Sequence, residues 1–124
     1  MLRSLRNLFS APQSATPAAA LPPGERAYAV GDIHGRLDLL TALAEAIEAD
    51  DAARAPVRST VILLGDLVDR GPDSAGVIGF ARAWQQRRRV RVLAGNHEEM
   101  LLASLDSDAA LRAFLRFGGK ETLL

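Results

Sequence analysis

Three short apolar runs in this 124-residue chain each give way to a glycine followed by an acid or an amide. Ala27–Val30 runs into Gly31-Asp32-Ile33-His34-Gly35. Thr60–Leu64 runs into Gly65-Asp66-Leu67-Val68-Asp69-Arg70-Gly71. Val90–Leu93 leads into Gly95-Asn96-His97-Glu98. Runs this short, rich in valine and stopped by glycine, read as strands. TVILL has no alternation, which predicts a central strand covered on both faces.

The segments between them carry helical periodicity. Leu37–Asp50 places Leu40, Leu43, Ala44 and Ile47 on one stripe. Ser74–Arg88 does the same with Val77, Phe80, Ala81 and Trp84, after Pro72 and Asp73. Asp51–Ser59, with Pro56, is a loop. Glu98–Leu105 and Asp108–Phe117 read as two more helices, closed by Gly118-Gly119. Strands alternating with helices imply right-handed crossovers and a parallel sheet, so the fold class is α/β. Arg82, Arg87, Arg88, Arg89 and Arg91 read as a solvated helix end, or a patch for an acidic partner. Trp84, Phe114 and Phe117 are core candidates; the two phenylalanines could equally face a further part of the protein.

Composition narrows the function classes. At 48% hydrophobic the chain can bury a core. Fifteen Lys+Arg balance 15 Asp+Glu, which argues against a nucleic-acid binder. The absence of cysteine excludes disulfides, thiolate zinc sites and a cysteine nucleophile. No apolar run reaches the ~20 residues of a membrane span, and a cytoplasmic location is expected. Residues 1–24 differ from the rest. Leu2, Leu5, Leu8 and Phe9 lie at helical spacing with Arg3 and Arg6, and Pro12, Pro17, Pro22 and Pro23 follow. This reads as a flexible leader, with an organellar transit peptide or a membrane-touching helix as alternatives.

In a parallel sheet the carboxyl ends of adjacent strands share one edge, where ligands bind. Asp32, His34, Asp66, Asp69, Arg70, Asn96 and His97 are therefore expected to converge. Asp32, His34, Asp66 and Asn96 are oxygen and imidazole donors suited to manganese, iron, zinc or magnesium. Asp66, on the middle strand, could bridge two ions and hold a hydroxide nucleophile between them for displacement at phosphorus. Arg70 offers a planar fork for phosphate oxygens. His97 is free to act as a general acid, oriented by Asp69. Each motif alone could be a capped turn; all three in order, each after a strand, leave little room for that reading.

GDIHG, GDLVDRG and GNHE together resemble the calcineurin-like metallophosphoesterases, in particular the phosphoprotein-phosphatase branch. Arg36 and the Phe117-Gly118-Gly119-Lys120-Glu121-Thr122-Leu123 stretch resemble bacterial serine/threonine protein phosphatases. The resemblance implies two divalent metals, manganese first. Asp32 and His34 would bind one metal, Asp66 would bridge, and Asn96 would bind the second. His97 would be the general acid, Asp69 its partner and Arg70 the phosphate ligand. Only two histidines are present, and both are assigned. The family's second metal needs further histidines, so that site is incomplete. Residues 25–124 are accordingly expected to be the N-terminal half of a metallophosphoesterase domain.

The expected function is metal-dependent phosphoester hydrolysis, as a serine/threonine protein phosphatase with a metal-bound hydroxide and His97 as acid. The alternatives are a diadenosine-tetraphosphate hydrolase, and a truncated, catalytically impaired remnant or interaction module. The expected substrate is a phosphoprotein or small phosphoester, with activity far below that of a full-length relative. Self-association through an uncovered sheet edge is also expected.

Overall fold

The computed structural model describes residues 18–124. The helical spacing noted at the start of the leader, with Pro12 and Pro17, therefore lies outside the described residues. Strand β1 (Glu25–Val30) is followed by α1 (Leu37–Ala53), β2 (Arg58–Leu63), α2 (Ser74–Arg87) and β3 (Val90–Val92). Helices α3 (Asn96–Ala103) and α4 (Asp108–Phe114) come next. The chain stays helical through Phe117, kinks at Gly118 and re-enters the short helix α5 (Lys120–Leu123). The sheet is parallel in the order β1-β2-β3, with Val30 opposite Leu63 and Leu63 opposite Val92.

Strand order explains which face is covered. Two right-handed crossovers that step in the same direction put both connecting helices on one side of the sheet. Tyr28, Val30, Val61, Leu63 and Val90 point to that side. There they pack with Leu40, Ala44 and Ile47 of α1 and Val77, Ala81 and Trp84 of α2. Side chains alternate along a strand, so Ala27, Ala29, Thr60, Ile62 and Leu93 point the other way. None of these is fully buried, and Leu93 is 50% exposed. This corrects the expectation of a middle strand covered on both faces. β2 ends at Leu63, and Leu64 beyond it is exposed.

The helices bear out most of the periodicity. Leu40, Ala44 and Ile47 are buried, but Leu43 is 43% exposed because it falls at the rim of the stripe. Trp84 and Phe114 are core, whereas Phe117 is 57% exposed. Helical backbone runs on from α4 through Phe117 and breaks at Gly118, which adopts φ +101°, and the chain re-enters a helix beyond it instead of ending there. α2 is capped by Asp73, whose carboxylate accepts from the Gly76 amide at 2.7 Å.

Arg88 departs from the solvated helix end expected of the arginine cluster. Its guanidinium turns inward to Glu48 (2.9 Å), Asp51 (3.3 Å) and Ser59 (2.7 Å). Asp51 also accepts from Arg26 and Ser59, and Glu48 accepts from the Trp84 indole at 2.7 Å. A polar cluster thus ties α1, α2 and the starts of β1 and β2 together at the amino edge of the sheet. Among the described residues no helix is long and apolar enough to cross a membrane.

Candidate metal and phosphoester site

The opposite, carboxyl edge carries the three glycine-led loops. The loop after β1 is laced onto the loop after β2 by main-chain bonds. Ile33 and His34 amides donate to Asp66 O (3.0 and 2.9 Å), and Gly35 donates to Leu67 O (2.8 Å). The loop after β3 comes equally close. A Cβ on Gly65, which adopts φ +105°, would lie 2.7 Å from Gly95 Cα, so only glycine admits this approach.

These contacts bring Asp32, His34 and Asp66 together, with one donor atom from each within 4.8 Å of the others. His34 Nδ1 sits 2.8 Å from Val68 O. A carbonyl can only accept, so Nδ1 carries the proton and Nε2 keeps its lone pair for a cation. Asp66 Oδ1 accepts the His97 amide at 3.0 Å, which fixes the carboxylate beside α3. Two carboxylates and an imidazole of defined tautomer form a donor set that fits a divalent ion. Asn96, the first residue of α3, is exposed on the same edge.

His97 lies alongside. Its ring meets His34 edge to face, centroids 4.7 Å apart. Nδ1 is 2.8 Å from Asp69 Oδ2, and both residues are buried. The carboxylate accepts, so Nδ1 donates and Nε2 faces the site. Arg70 spans the pair, with Nη1 3.2 Å from His34 Nε2 and Nη2 3.2 Å from His97 Nε2. Both imidazole lone pairs thus converge on one positive group. All seven residues singled out from the sequence lie on this edge, and six are linked by these contacts.

Backbone conformation separates this edge from the rest of the molecule. Among the described residues, the non-glycine positions with positive φ are His34 (45°), Asp66 (53°), Asp69 (73°) and Arg70 (67°). Each costs on the order of 1–2 kcal/mol. All four lie at this one edge.

Glu98 carries a structural share of that geometry that the motif reading missed. Its carboxylate accepts from the amides of Asp66 (2.8 Å), Leu67 (2.7 Å), Val68 (3.2 Å) and Gly95 (2.8 Å). It clamps the Asp66 loop against the start of α3. The signal available in the sequence was its place three residues after Gly95, where a glutamate reaches back to the helix start.

The comparisons with known proteins agree with this geometry. The family model for calcineurin-like phosphoesterase matches residues 26–122. Over 76 residues, 61% of this chain, it is 42% identical to the symmetrical bis(5'-nucleosyl)-tetraphosphatase of Klebsiella pneumoniae. It is 43% identical over the same length to the proteins of that name from Yersinia pestis and Yersinia pseudotuberculosis. The match covers 24% of each of these relatives, so the chain spans about a quarter of their length. No solved structure matches the chain. With its motifs, its parallel sheet and a family match over nearly the whole described chain, this protein belongs to the calcineurin-like phosphoesterases.

Proposed function

We propose that this edge is the metal-binding and proton-donating part of a phosphoester hydrolase. One observation carries the reading: donor atoms of Asp32, His34 and Asp66 cluster within 4.8 Å beside the His97–Asp69 pair. A divalent ion held there supplies Lewis acidity at phosphorus and lowers the pKa of water.

The chain's own residues do the rest. His34 keeps its Nε2 available because Val68 O holds the proton on Nδ1. Asp66 is oriented by the His97 amide and would hold a divalent ion together with Asp32 and His34, and Asn96 offers an exposed amide on the same edge. Arg70 directs both terminal nitrogens to the centre of the site, where two phosphoryl oxygens would take the place of the two imidazole nitrogens. As an acid His97 would carry a second proton on Nε2 and pass it to the leaving oxygen, while Asp69 holds the Nδ1 proton throughout. Among the described residues, no imidazole other than His34 and His97 is present for a second ion.

Two substrate classes fit. Relatives named symmetrical bis(5'-nucleosyl)-tetraphosphatases, at 42–43% identity, support a dinucleoside tetraphosphate. The GDLVDRG motif, Arg36 and the GGKETL stretch support a phosphoserine or phosphothreonine protein. The test is manganese binding by calorimetry, followed by hydrolysis of diadenosine tetraphosphate, a phosphopeptide and an aryl phosphate. We expect one ion per chain, with affinity falling roughly 100-fold in Asp66→Asn. Turnover should depend on the metal and disappear in that variant. Equal binding by wild type and variant would overturn the assignment.

A further inference from the structure

We propose that Thr122, aided by Gly118, is a positioning residue that latches Asp69 and Arg70 into their left-handed conformation and thereby aims His97. The proposal rests on the reading of His97 given above, yet its geometry stands apart from any metal.

Asp69 and Arg70 are consecutive non-glycine residues with φ of 73° and 67°. A strained dipeptide persists only where its surroundings over-determine it. Its two amides are both held. The Asp69 amide is shared between Ser74 Oγ (3.0 Å) and Thr122 Oγ1 (2.9 Å). The Arg70 amide donates to Gly118 O at 2.9 Å. Both distant partners lie beyond α4, Gly118 at the kink and Thr122 in α5.

Counting protons orders the cluster. Thr122 has one hydroxyl proton and two lone pairs. The proton goes to Asp69 Oδ1 at 2.5 Å. Thr122 Oγ1 therefore accepts from the Asp69 amide and, at 3.0 Å, from the Ser74 hydroxyl. Every capacity of this hydroxyl is used. Asp69 is fully buried, with one oxygen on Thr122 and the other on His97 Nδ1. Rotation of the carboxylate would break both bonds, so Thr122 sets the plane that His97 follows. Gly118 completes the latch: at φ +101° its missing Cβ would lie 2.6 Å from Arg70 Cγ.

The experiment is NMR of the metal-free chain, following the His97 ring nitrogens, the Nδ1 proton, and the Asp69 and Arg70 amides. Thr122→Val keeps the shape and removes the hydroxyl. We expect its Nδ1 proton and Asp69 amide to exchange at least about tenfold faster, with loss of the single Nδ1–H tautomer. Thr122→Ser should restore slow exchange and the tautomer. If Thr122→Val fails to fold, Gly118→Ala serves: it should accelerate exchange of the Arg70 amide and leave amides of α1 unchanged. Wild-type exchange and tautomer in a folded Thr122→Val would overturn the latch. Where hydrolysis is measurable, kcat should fall in Thr122→Val with KM little changed. If wild type itself neither binds manganese nor hydrolyses, the functional reading fails while the NMR contrast still decides the latch.

Discussion

The two ends of the sheet carry two polar clusters built on opposite logic. At the amino edge Arg26, Asp51, Ser59, Arg88, Glu48 and Trp84 pair with one another, Arg88 Nε alone lacking a partner, and none of them has a left-handed backbone. Arg36 and Asp38 form a similar local pair beside the first loop. At the carboxyl edge the acids outnumber the bases, Asp69 and His97 are buried, and four residues are strained. Mutual pairing without strain is what stability alone requires. A surplus of carboxylates held in costly conformations is what a cation-binding site requires. Polarity by itself separates neither; the combination of charge balance and backbone conformation does.

That contrast can be broken by substitution at either end. The largest effect expected is at the amino edge, where Trp84→Ala removes a buried indole and leaves Glu48 with Arg88 alone. Loss of the buried ring should cost about 3–5 kcal/mol in urea unfolding. Manganese affinity of the folded fraction should not change; a parallel loss of affinity would show that the two edges are coupled. Next comes Glu98→Gln, which places an amide group against four backbone donors. Metal affinity should fall roughly 10–100-fold, and stability should fall by about 1–3 kcal/mol. An unchanged affinity would remove Glu98 from the machinery that shapes the site.

The smallest effect is in acid. Arg54, then Tyr28, hold the Asp50 carboxyl down at about 2 from its ordinary 3.8. Asp51 is lowered as well, by the Ser59 hydroxyl and then by Arg26 and Arg88. A carboxylate lowered on folding stabilises fully above its ordinary value and loses that contribution as pH falls through the lowered one. Wild type should therefore lose stability between about pH 4 and pH 2, and Asp50→Asn should lose less over that window. Identical slopes in urea midpoints against pH would show that the pair is too well solvated to count.

Much of this was legible in the chain itself. The strand–helix alternation, the parallel sheet and the seven edge residues follow from periodicity and three glycine-led motifs, because these signals are local. What stayed hidden depends on distant partners. Leu64 and Leu43 carry core-like side chains, but whether a face is covered depends on strand order, which no local pattern records. Arg88 reads as one of five exposed arginines until Asp51 and Ser59 are brought beneath it. Glu98 and Thr122 act through hydrogen bonds spanning up to 53 residues, to backbone whose left-handed turn leaves no trace in residue type.

Strand order also sets a timetable. Each strand of the β1-β2-β3 sheet pairs with the one made just before it, so the chain can dock each unit onto its predecessor as synthesis proceeds. The carboxyl edge obeys a different clock. Asp69 emerges 53 residues ahead of Thr122, and until that threonine arrives its buried carboxylate and its unfavourable backbone lack half their support. Scaffold and site are therefore completed at separate moments, and a nascent chain can possess its sheet well before it possesses an aimed histidine.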